Sequence, residues 1–127
     1  MEYLHQDLTE RAIKCFYEVY NQLGYGFLEK VYEHSMMIEL SREGLHAKSQ
    51  VPIEVQYKGE LVGDYFADIV VDDLVILELK AAEKVVEEHE LQLINYLRAT
   101  EIEIGLLLNF GKKPEVRREI FTNDRKK

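Results

Sequence analysis

The sequence LVILELKA, residues 74–81, joins an apolar run to two charged residues. Its first four positions are all apolar, which is typical of a central strand that is covered on both faces. Glu78 and Lys80 are two residues apart, so they point to the same face of that strand. Charged side chains are rare in buried strands unless they are paired. This stretch therefore predicts a sheet core that carries either an ion pair or a functional site.

The sequence on both sides of this strand predicts one α/β domain over residues 1–127. Alternating apolar and polar residues indicate a hairpin before it, with a turn at 58–60. A helix and a second fully apolar strand follow it, and such a β-α-β unit places its two strands in parallel. The predicted order is α-α-β-β-β-α-β-β, a mixed central sheet flanked by helices. The predicted helices are 7–23, 27–42 and 84–100, and the predicted strands are 49–57, 61–71, 74–81, 104–110 and 116–121.

Asp68 lies in the preceding strand, in FADIVV (66–71), among apolar residues. Its distance from Glu78 depends on the turn between the two strands. A two-residue turn at Asp72-Asp73 would pair Asp68 with Leu77 and place the two carboxylates on opposite faces. A three-residue loop or a bulge would instead pair Asp68 with Glu78. A site that uses both carboxylates therefore predicts that the hairpin does not close as a tight two-residue turn, or that its strands splay there.

The chemistry of this group depends on how close the two carboxylates come. Two carboxylates a few ångströms apart repel each other unless a proton or a cation lies between them. Carboxylate oxygens, completed by water and phosphate oxygens, suit Mg²⁺ or Mn²⁺ and not zinc. The Lys80 ammonium can hold an attacking water or offset charge on a phosphate. Asp68, Glu78 and Lys80 thus suggest metal-assisted phosphodiester hydrolysis. The alternative is an ion pair of Glu78 with Lys80 in which Asp68 has no part.

Two helices carry polar residues whose positions follow from the helical period. On the second helix, Glu29 shares a stripe with the apolar residues, which predicts that it is half-buried and needs a partner. On the helix after the central strand, a polar stripe lies beside the apolar one, which is most often a solvated or half-buried face. The first stripe is Glu29, Tyr32, Met36 and Leu40, with Lys30, Glu33, His34 and Met37 on the wetter side; the second is His89, Gln92 and Tyr96.

Five short segments of the sequence resemble the GxxExxY proteins, which are assigned to the PD-(D/E)XK nuclease superfamily, and they occur in the same order as in that family. The segments extend over nearly the whole chain, so the resemblance is more specific than any one of them. Ala67 stands before Asp68 where the superfamily name has proline. The matching segments are GFLEKVY (26–32), FADIVV (66–71), ELK (78–80), HELQLINYL (89–97) and GLLLNFG (105–111).

The resemblance implies a restriction-endonuclease-like core and a role for individual residues. Asp68 and Glu78 would be metal ligands for Mg²⁺ or Mn²⁺, with the Leu79 carbonyl as a further ligand, and Lys80 would be the catalytic lysine. Gln92 would be the helix glutamine that supports such sites. Glu29 would be the acidic residue that the superfamily contributes from its first core helix. Tyr32, His89 and Tyr96 match family positions to which the sequence assigns no role.

Composition and charge limit the classes of function. The net charge of −8 argues against a simple nucleic-acid coat protein, because phosphate binding draws on Lys and Arg. Residues 112–127 are basic, however, which indicates either a solvated, partly frayed end or an edge that contacts phosphate through Lys112, Lys113, Arg117 and Arg118. A single cysteine, Cys15, and a charged N-terminal stretch predict a cytoplasmic protein.

Three functions are compatible with these observations. The first is a Mg²⁺-dependent nuclease that acts on DNA or RNA; such a small core could gain basic surface by dimerising or from a partner protein. The second is a non-catalytic module that binds nucleic acid or protein through the same fold. The third is a phosphohydrolase of a small substrate, which the acidic charge would tolerate better.

Overall fold

Residues 4–126 are described by the computed structural model, and they form three α-helices, five strands and one short 3₁₀ turn, Asn123–Arg125. Their order along the chain confirms the predicted α-α-β-β-β-α-β-β fold class. The helices are α1 (Gln6–Leu23), α2 (Glu29–Arg42) and α3 (Glu87–Arg98). The strands are β1 (Ala47–Tyr57), β2 (Glu60–Val71), β3 (Val75–Lys80), β4 (Ile104–Phe110) and β5 (Pro114–Ile120).

The five strands form one mixed sheet in the order β1-β2-β3-β4-β5. β1, β2 and β3 are antiparallel neighbours, and so are β4 and β5. β3 and β4 run in parallel, as predicted for the β-α-β unit, because α3 carries the chain back between them. The strand that holds Glu78 and Lys80 therefore lies in the middle of the sheet.

Both faces of the sheet are covered. Leu77 belongs to the apolar layer that contains Phe16 of α1 and Tyr32 of α2. Its neighbour Ile76 belongs to the opposite layer, together with Leu93 of α3. Successive residues of β3 thus enter different layers, which explains why the strand is apolar at consecutive positions.

Gly105 of β4 allows α3 to lie close to the sheet. A Cβ atom at this position would stand 2.6 Å from Cδ1 and 3.0 Å from Cγ of Leu93. Any larger residue would push the helix outward. Gly105 thus allows the side chain of Leu93, the neighbour of Gln92, to pack directly on β4.

α1 is an amphipathic helix of 18 residues, and its buried face belongs to the apolar layer that contains Leu77. Ala12, Phe16 and Val19 are buried, while Lys14 and Glu18 are exposed. Charged residues thus recur on its outer face. Across residues 4–126, no helix is both long and apolar enough to cross a membrane.

Candidate functional site

The loop between β2 and β3 sets the register of the candidate site. Val71 pairs with Val75 across a loop of three residues, Asp72–Leu74, and both aspartates of the loop have positive φ angles, 51° and 57°. The same register places Asp68 opposite Glu78. The prediction that the hairpin does not close as a tight two-residue turn is confirmed.

Side chains replace the strand ladder at the position of Asp68. The pairing of β2 with β3 extends to Ile69 and Leu77. Beyond it, the Asp68 N–H donates to Oε1 of Glu78 at 3.0 Å, and the Leu79 N–H donates to Oδ2 of Asp68 at 2.8 Å. Each carboxylate accepts a hydrogen bond from the main chain of the opposite strand. These bonds hold both carboxyl groups between the strands, so that their remaining oxygens can interact with each other or with a cation.

The other side of Asp68 is irregular as well. The pairing of β1 with β2 skips Gln50, which lies opposite Asp68 and has a positive φ of 52°. A left-handed conformation costs a non-glycine residue roughly 1–2 kcal/mol. The side chain of Gln50 donates from Nε2 to Oε1 of Glu33 at 2.7 Å. Backbone strain of this kind is often found near functional groups.

Burial and charge together control the ionisation of the carboxyl pair. Glu78 is 4% exposed, and burial raises its pKa to about 8, with the charge of Asp68 acting in the same direction. The hydrogen bond from the Asp68 main chain and the charge of Lys80 act in the opposite direction. Lys80, the last residue of β3, is half-buried. Near neutral pH the pair consequently retains a proton, which a bound cation would displace.

Tyr96 of α3 interacts electrostatically with this pair, and Gln92 is connected to it through the Tyr96 hydroxyl. Gln92 donates from Nε2 to the Tyr96 hydroxyl at 3.0 Å. The pKa of Tyr96 is raised by burial and then by the charge of Glu78, so the hydroxyl stays protonated and Tyr96 lies within electrostatic range of the carboxylates. Both side chains line an open cleft of about 1500 Å³ between α3 and the β1–β2 hairpin, where the Tyr65 ring lies 5.9 Å from that of Tyr96.

His89 has a structural contact that explains its position on the polar stripe of α3. Its Nδ1 accepts a hydrogen bond from the Val86 N–H at 3.3 Å, at the start of the helix. A free main-chain N–H at a helix start needs such an acceptor. His89 therefore caps α3, and it also lines the cleft.

Tyr32 anchors the turn before α2. Its hydroxyl donates to the Gly24 carbonyl at 2.7 Å and accepts from the Phe27 N–H at 3.2 Å. Its ring stacks on Phe110 with the ring centroids 4.1 Å apart. The tyrosine of the GFLEKVY segment is thus a structural contact between the first turn of α2 and the end of β4.

The predicted burial of two glutamates on α2 is wrong. Glu29, expected to be half-buried, is exposed at the first residue of the helix, and Glu33, expected on the wetter side, is 7% exposed. Tyr32, Met36 and Leu40 do face the core. The stripe fails at Glu29 because that residue lies in the opening turn of α2, at the exposed end of the helix. Glu33 is tolerated inside because Gln50 supplies a hydrogen bond.

Three residues with contacts near the site were not predicted from the sequence. Glu33 and Gln50 gave no signal, because neither spacing nor residue type indicates their contact. Asn109 is fully buried in β4 at the position that pairs with Lys80. It could have been recognised by the rule that selected Glu78, since a polar side chain in an apolar strand requires a partner.

The basic residues near the C-terminal end lie on a regular edge strand. Arg117 contacts Glu115 at 3.0 Å and Glu90 at 3.9 Å, and Arg118 donates to the main-chain carbonyl of Leu4. Residues 114–120 form β5, so the expectation of a partly frayed end is wrong for this segment. The two arginines contact the protein itself, whereas Lys112 and Lys113 are exposed, so the alternative in which this edge contacts phosphate stays a prediction.

The donor set at the carboxyl pair fits a hard divalent cation that retains water ligands. Within residues 4–126, no three His, Cys, Asp or Glu side chains converge closely enough to hold a metal ion alone. Asp68 and Glu78 provide two carboxylates, and Mg²⁺ sites commonly use one or two carboxylates with water and substrate oxygens. Their mutual repulsion is the feature that a cation would relieve.

Both the sequence and the fold are similar to those of known proteins. A family model described as the PD-(D/E)XK nuclease superfamily matches residues 6–119, which is most of the chain. The crystal structure of SSO0001 is similar with a TM-score of 0.60 and 17% sequence identity, over 73% of this chain and 50% of that one. The chain therefore spans half the length of that protein, and at this identity the likeness concerns the fold alone. A search of curated proteins finds no match.

Proposed function

Because the chain belongs to the PD-(D/E)XK nuclease superfamily, we propose that it is a nuclease that uses a divalent metal ion to hydrolyse phosphodiester bonds in nucleic acid. The observation that carries the proposal is the pair formed by Asp68 and Glu78. Main-chain donors hold the two carboxylates against each other, at the end of a strand that also presents Lys80.

Asp68 and Glu78 are proposed to bind Mg²⁺ or Mn²⁺, with the Leu79 carbonyl as a third protein ligand. The hard oxygen donors favour these ions over zinc. Burial raises the pKa of Glu78, so a cation must compete with a proton for the pair. A divalent ion bound there would stabilise charge on the phosphate and lower the pKa of a bound water.

Other residues of the chain have proposed roles around this pair. The Lys80 ammonium orients the attacking water or offsets negative charge on the phosphate. Gln92 supports the site from α3 through its hydrogen bond to the Tyr96 hydroxyl. The role proposed for Glu29 rests on the resemblance only, since this residue is exposed at the start of α2. Glu33 of α2 accepts a hydrogen bond from Gln50, the residue opposite Asp68 in the register of β1 with β2.

The acidic surface favours a second candidate, hydrolysis of a small phosphorylated substrate. The net charge is −8, and Arg117 and Arg118 interact with the protein itself. A small substrate requires fewer phosphate contacts than a polynucleotide. A partner protein or a second copy that adds basic surface would restore the case for nucleic acid.

Binding and cleavage should be measured on the wild type, on Asp68→Ala and on Glu119→Gln, a control carboxylate on β5. We expect calorimetry to detect Mg²⁺ or Mn²⁺ binding in the wild type and the control but not in Asp68→Ala. Cleavage of DNA or RNA, with little turnover of a small aryl phosphodiester, would support the nuclease. The reverse preference would support the small-substrate enzyme. Metal binding unaffected by Asp68→Ala would contradict both, and nucleic-acid binding without cleavage would indicate a non-catalytic module.

A further inference from the structure

Asn109 is the one polar residue of β4, and it lies at the point where β3 ends. Its side chain is fully buried, and in the parallel register it pairs with Lys80, the last residue of β3. A buried amide in a strand of apolar residues is costly unless both its donor and its acceptor are satisfied. The hydrogen-bond partners of the Asn109 side chain therefore indicate its structural role.

Both polar atoms of Asn109 bind the same residue, Ala82. Oδ1 accepts from the Ala82 N–H at 2.9 Å, and Nδ2 donates to the Ala82 carbonyl at 3.0 Å. The side-chain amide thus behaves like one more peptide group of β4, and it extends the pairing of β3 with β4 beyond Lys80. We refer to these two bonds as the Asn109–Ala82 bridge.

Gly111 leaves the space that the bridge requires. A Cβ atom at Gly111 would lie 2.4 Å from the Ala82 carbonyl oxygen and 3.3 Å from the Glu83 carbonyl oxygen. Main-chain atoms at 2.4 Å cannot be accommodated without a shift of the chain. On its other side, the Gly111 carbonyl lies 2.8 Å from the Tyr20 hydroxyl. The NFG sequence at 109–111 is therefore shaped to receive the segment that follows Lys80.

The rest of the β3–α3 segment is held in the same manner. The Val85 N–H donates to Oε1 of Glu115 at 3.1 Å, and the Val86 N–H donates to His89. Side chains from β4, β5 and α3 thus each bind the main chain between Lys80 and α3. The Asn109–Ala82 bridge is the one nearest to Lys80, two residues away.

We propose that Asn109 is a positioning residue for Lys80, acting through Ala82, with Gly111 providing the space. This inference rests on the proposed function, in which Lys80 takes part in hydrolysis. The strand pairing with β4 holds the main chain at Lys80. The Asn109–Ala82 bridge holds the residues that follow, so that they do not rotate the main chain at the end of β3. The side chain of Lys80 therefore remains on the same face as Glu78. A displacement of about 1 Å at a reacting group can lower a rate roughly a hundredfold, which is the scale at stake.

Asn109→Asp removes one of the two hydrogen bonds of the bridge and keeps the other. Aspartate has nearly the same shape and still accepts from the Ala82 N–H, but it cannot donate to the Ala82 carbonyl. We expect kcat to fall about tenfold to a hundredfold while KM and metal affinity change little. Gly111→Ala, which displaces Ala82 by contact, should give the same split between kcat and KM. Leu40→Ala in α2 is the control, because it lowers stability at a fully buried site away from the bridge.

A second measurement does not depend on activity. NMR relaxation of the Lys80 side-chain carbons should report greater motion in Asn109→Asp and Gly111→Ala than in the wild type and in Leu40→Ala. Equal Lys80 motion in all four proteins would overturn the proposal, as would a fall in kcat no larger than that of Leu40→Ala. If the wild type cleaves no phosphodiester, the proposed function fails, and the relaxation data alone then decide whether Asn109 positions Lys80.

Discussion

Two pairs of carboxyl groups within residues 4–126 invite comparison, because in each pair one pKa is raised partly by the neighbouring acid. Asp68 and Glu78 meet between β2 and β3, and Glu90 and Glu119 meet between α3 and β5. In both pairs burial and the neighbouring acid raise a pKa, to about 8 for Glu78 and to about 7 for Glu119. A basic residue stands beside each pair. Charge and proximity alone therefore do not distinguish one from the other.

The difference lies in what holds the carboxylates. Asp68 and Glu78 each accept a main-chain N–H, and Glu78 is almost fully buried. Glu90 and Glu119 are partly exposed, and Arg117 lies 3.9 Å from Glu90. Exposed ion pairs contribute little and are free to rearrange. Main-chain donors that fix the carboxylates therefore mark the Asp68–Glu78 pair more clearly than clustered charge does.

Removal of the cation beside each pair provides the sharpest test of this comparison. Lys80→Met should lower phosphodiesterase activity by about 10²–10³-fold, the scale for loss of one preorganised electrostatic group. Arg117→Met removes the cation beside Glu90 and should leave activity close to that of the wild type. Steady-state kinetics on both variants, with calorimetry to show that metal still binds, measures the difference. Equal losses in the two variants would mean that the Asp68–Glu78 pair has no special role.

Gln50 tests whether the irregular main chain around Asp68 is stabilised from α2. Gln50→Ala removes the hydrogen bond to buried Glu33 and should lower the free energy of unfolding by about 1–3 kcal/mol. Gln50→Gly loses the same bond but adopts a φ of 52° without strain, so it should be more stable than the alanine variant by roughly 1 kcal/mol. Urea denaturation of both variants gives these values. An alanine variant as stable as the glycine variant would show that the left-handed conformation is not maintained.

The smallest effect is expected from the pH dependence of the exposed pair. The pKa of Glu119 is raised from 4.5 to about 7 in the folded protein, so the folded state holds a proton that the unfolded state releases. The contribution of Glu119 to the free energy of unfolding is fully present below pH 4.5 and is lost as the pH rises through about 7. Glu119→Gln should therefore gain stability relative to the wild type as pH rises over this range.

Thermal unfolding from about pH 4 to about pH 9 measures this change. Glu60→Gln, at the exposed start of β2, is the control because it removes a carboxylate away from Glu90 and Glu119. A Glu119→Gln curve parallel to that of the wild type would show that the pKa of Glu119 is not raised in the folded protein.

The fold followed from the sequence because its main signals are local. The apolar run at 74–77 identified a strand with two covered faces, and the order of elements and the superfamily are both confirmed. The sequence predicted the register at Asp68 only as a requirement of a site that uses both carboxylates, since a shift of one residue moves every side chain of a strand to the other face. The narrower GxxExxY assignment and the roles of the site residues stay predictions.

The features that escaped prediction depend on contacts between distant segments. The helical period placed Glu29 on the same side of α2 as Tyr32, but it does not predict which turns of a helix are exposed to solvent. The burial of Glu33 depends on Gln50 of β1, and the bond between Asn109 and Ala82 joins residues 27 positions apart. Composition suggested a basic edge, whereas the contacts of Arg117 are decided by neighbours in α3 and β5.

The three-residue loop between β2 and β3 also has a kinetic consequence. Asp68 and Glu78 are ten residues apart, so the hairpin that joins them closes with a small loss of chain entropy. Hairpins of this size form within about 1–10 μs, whereas the parallel pairing of β3 with β4 must wait for the whole α3 crossover. The carboxyl pair can therefore assemble early in folding as a local unit, before the strand that orders Lys80 is in place.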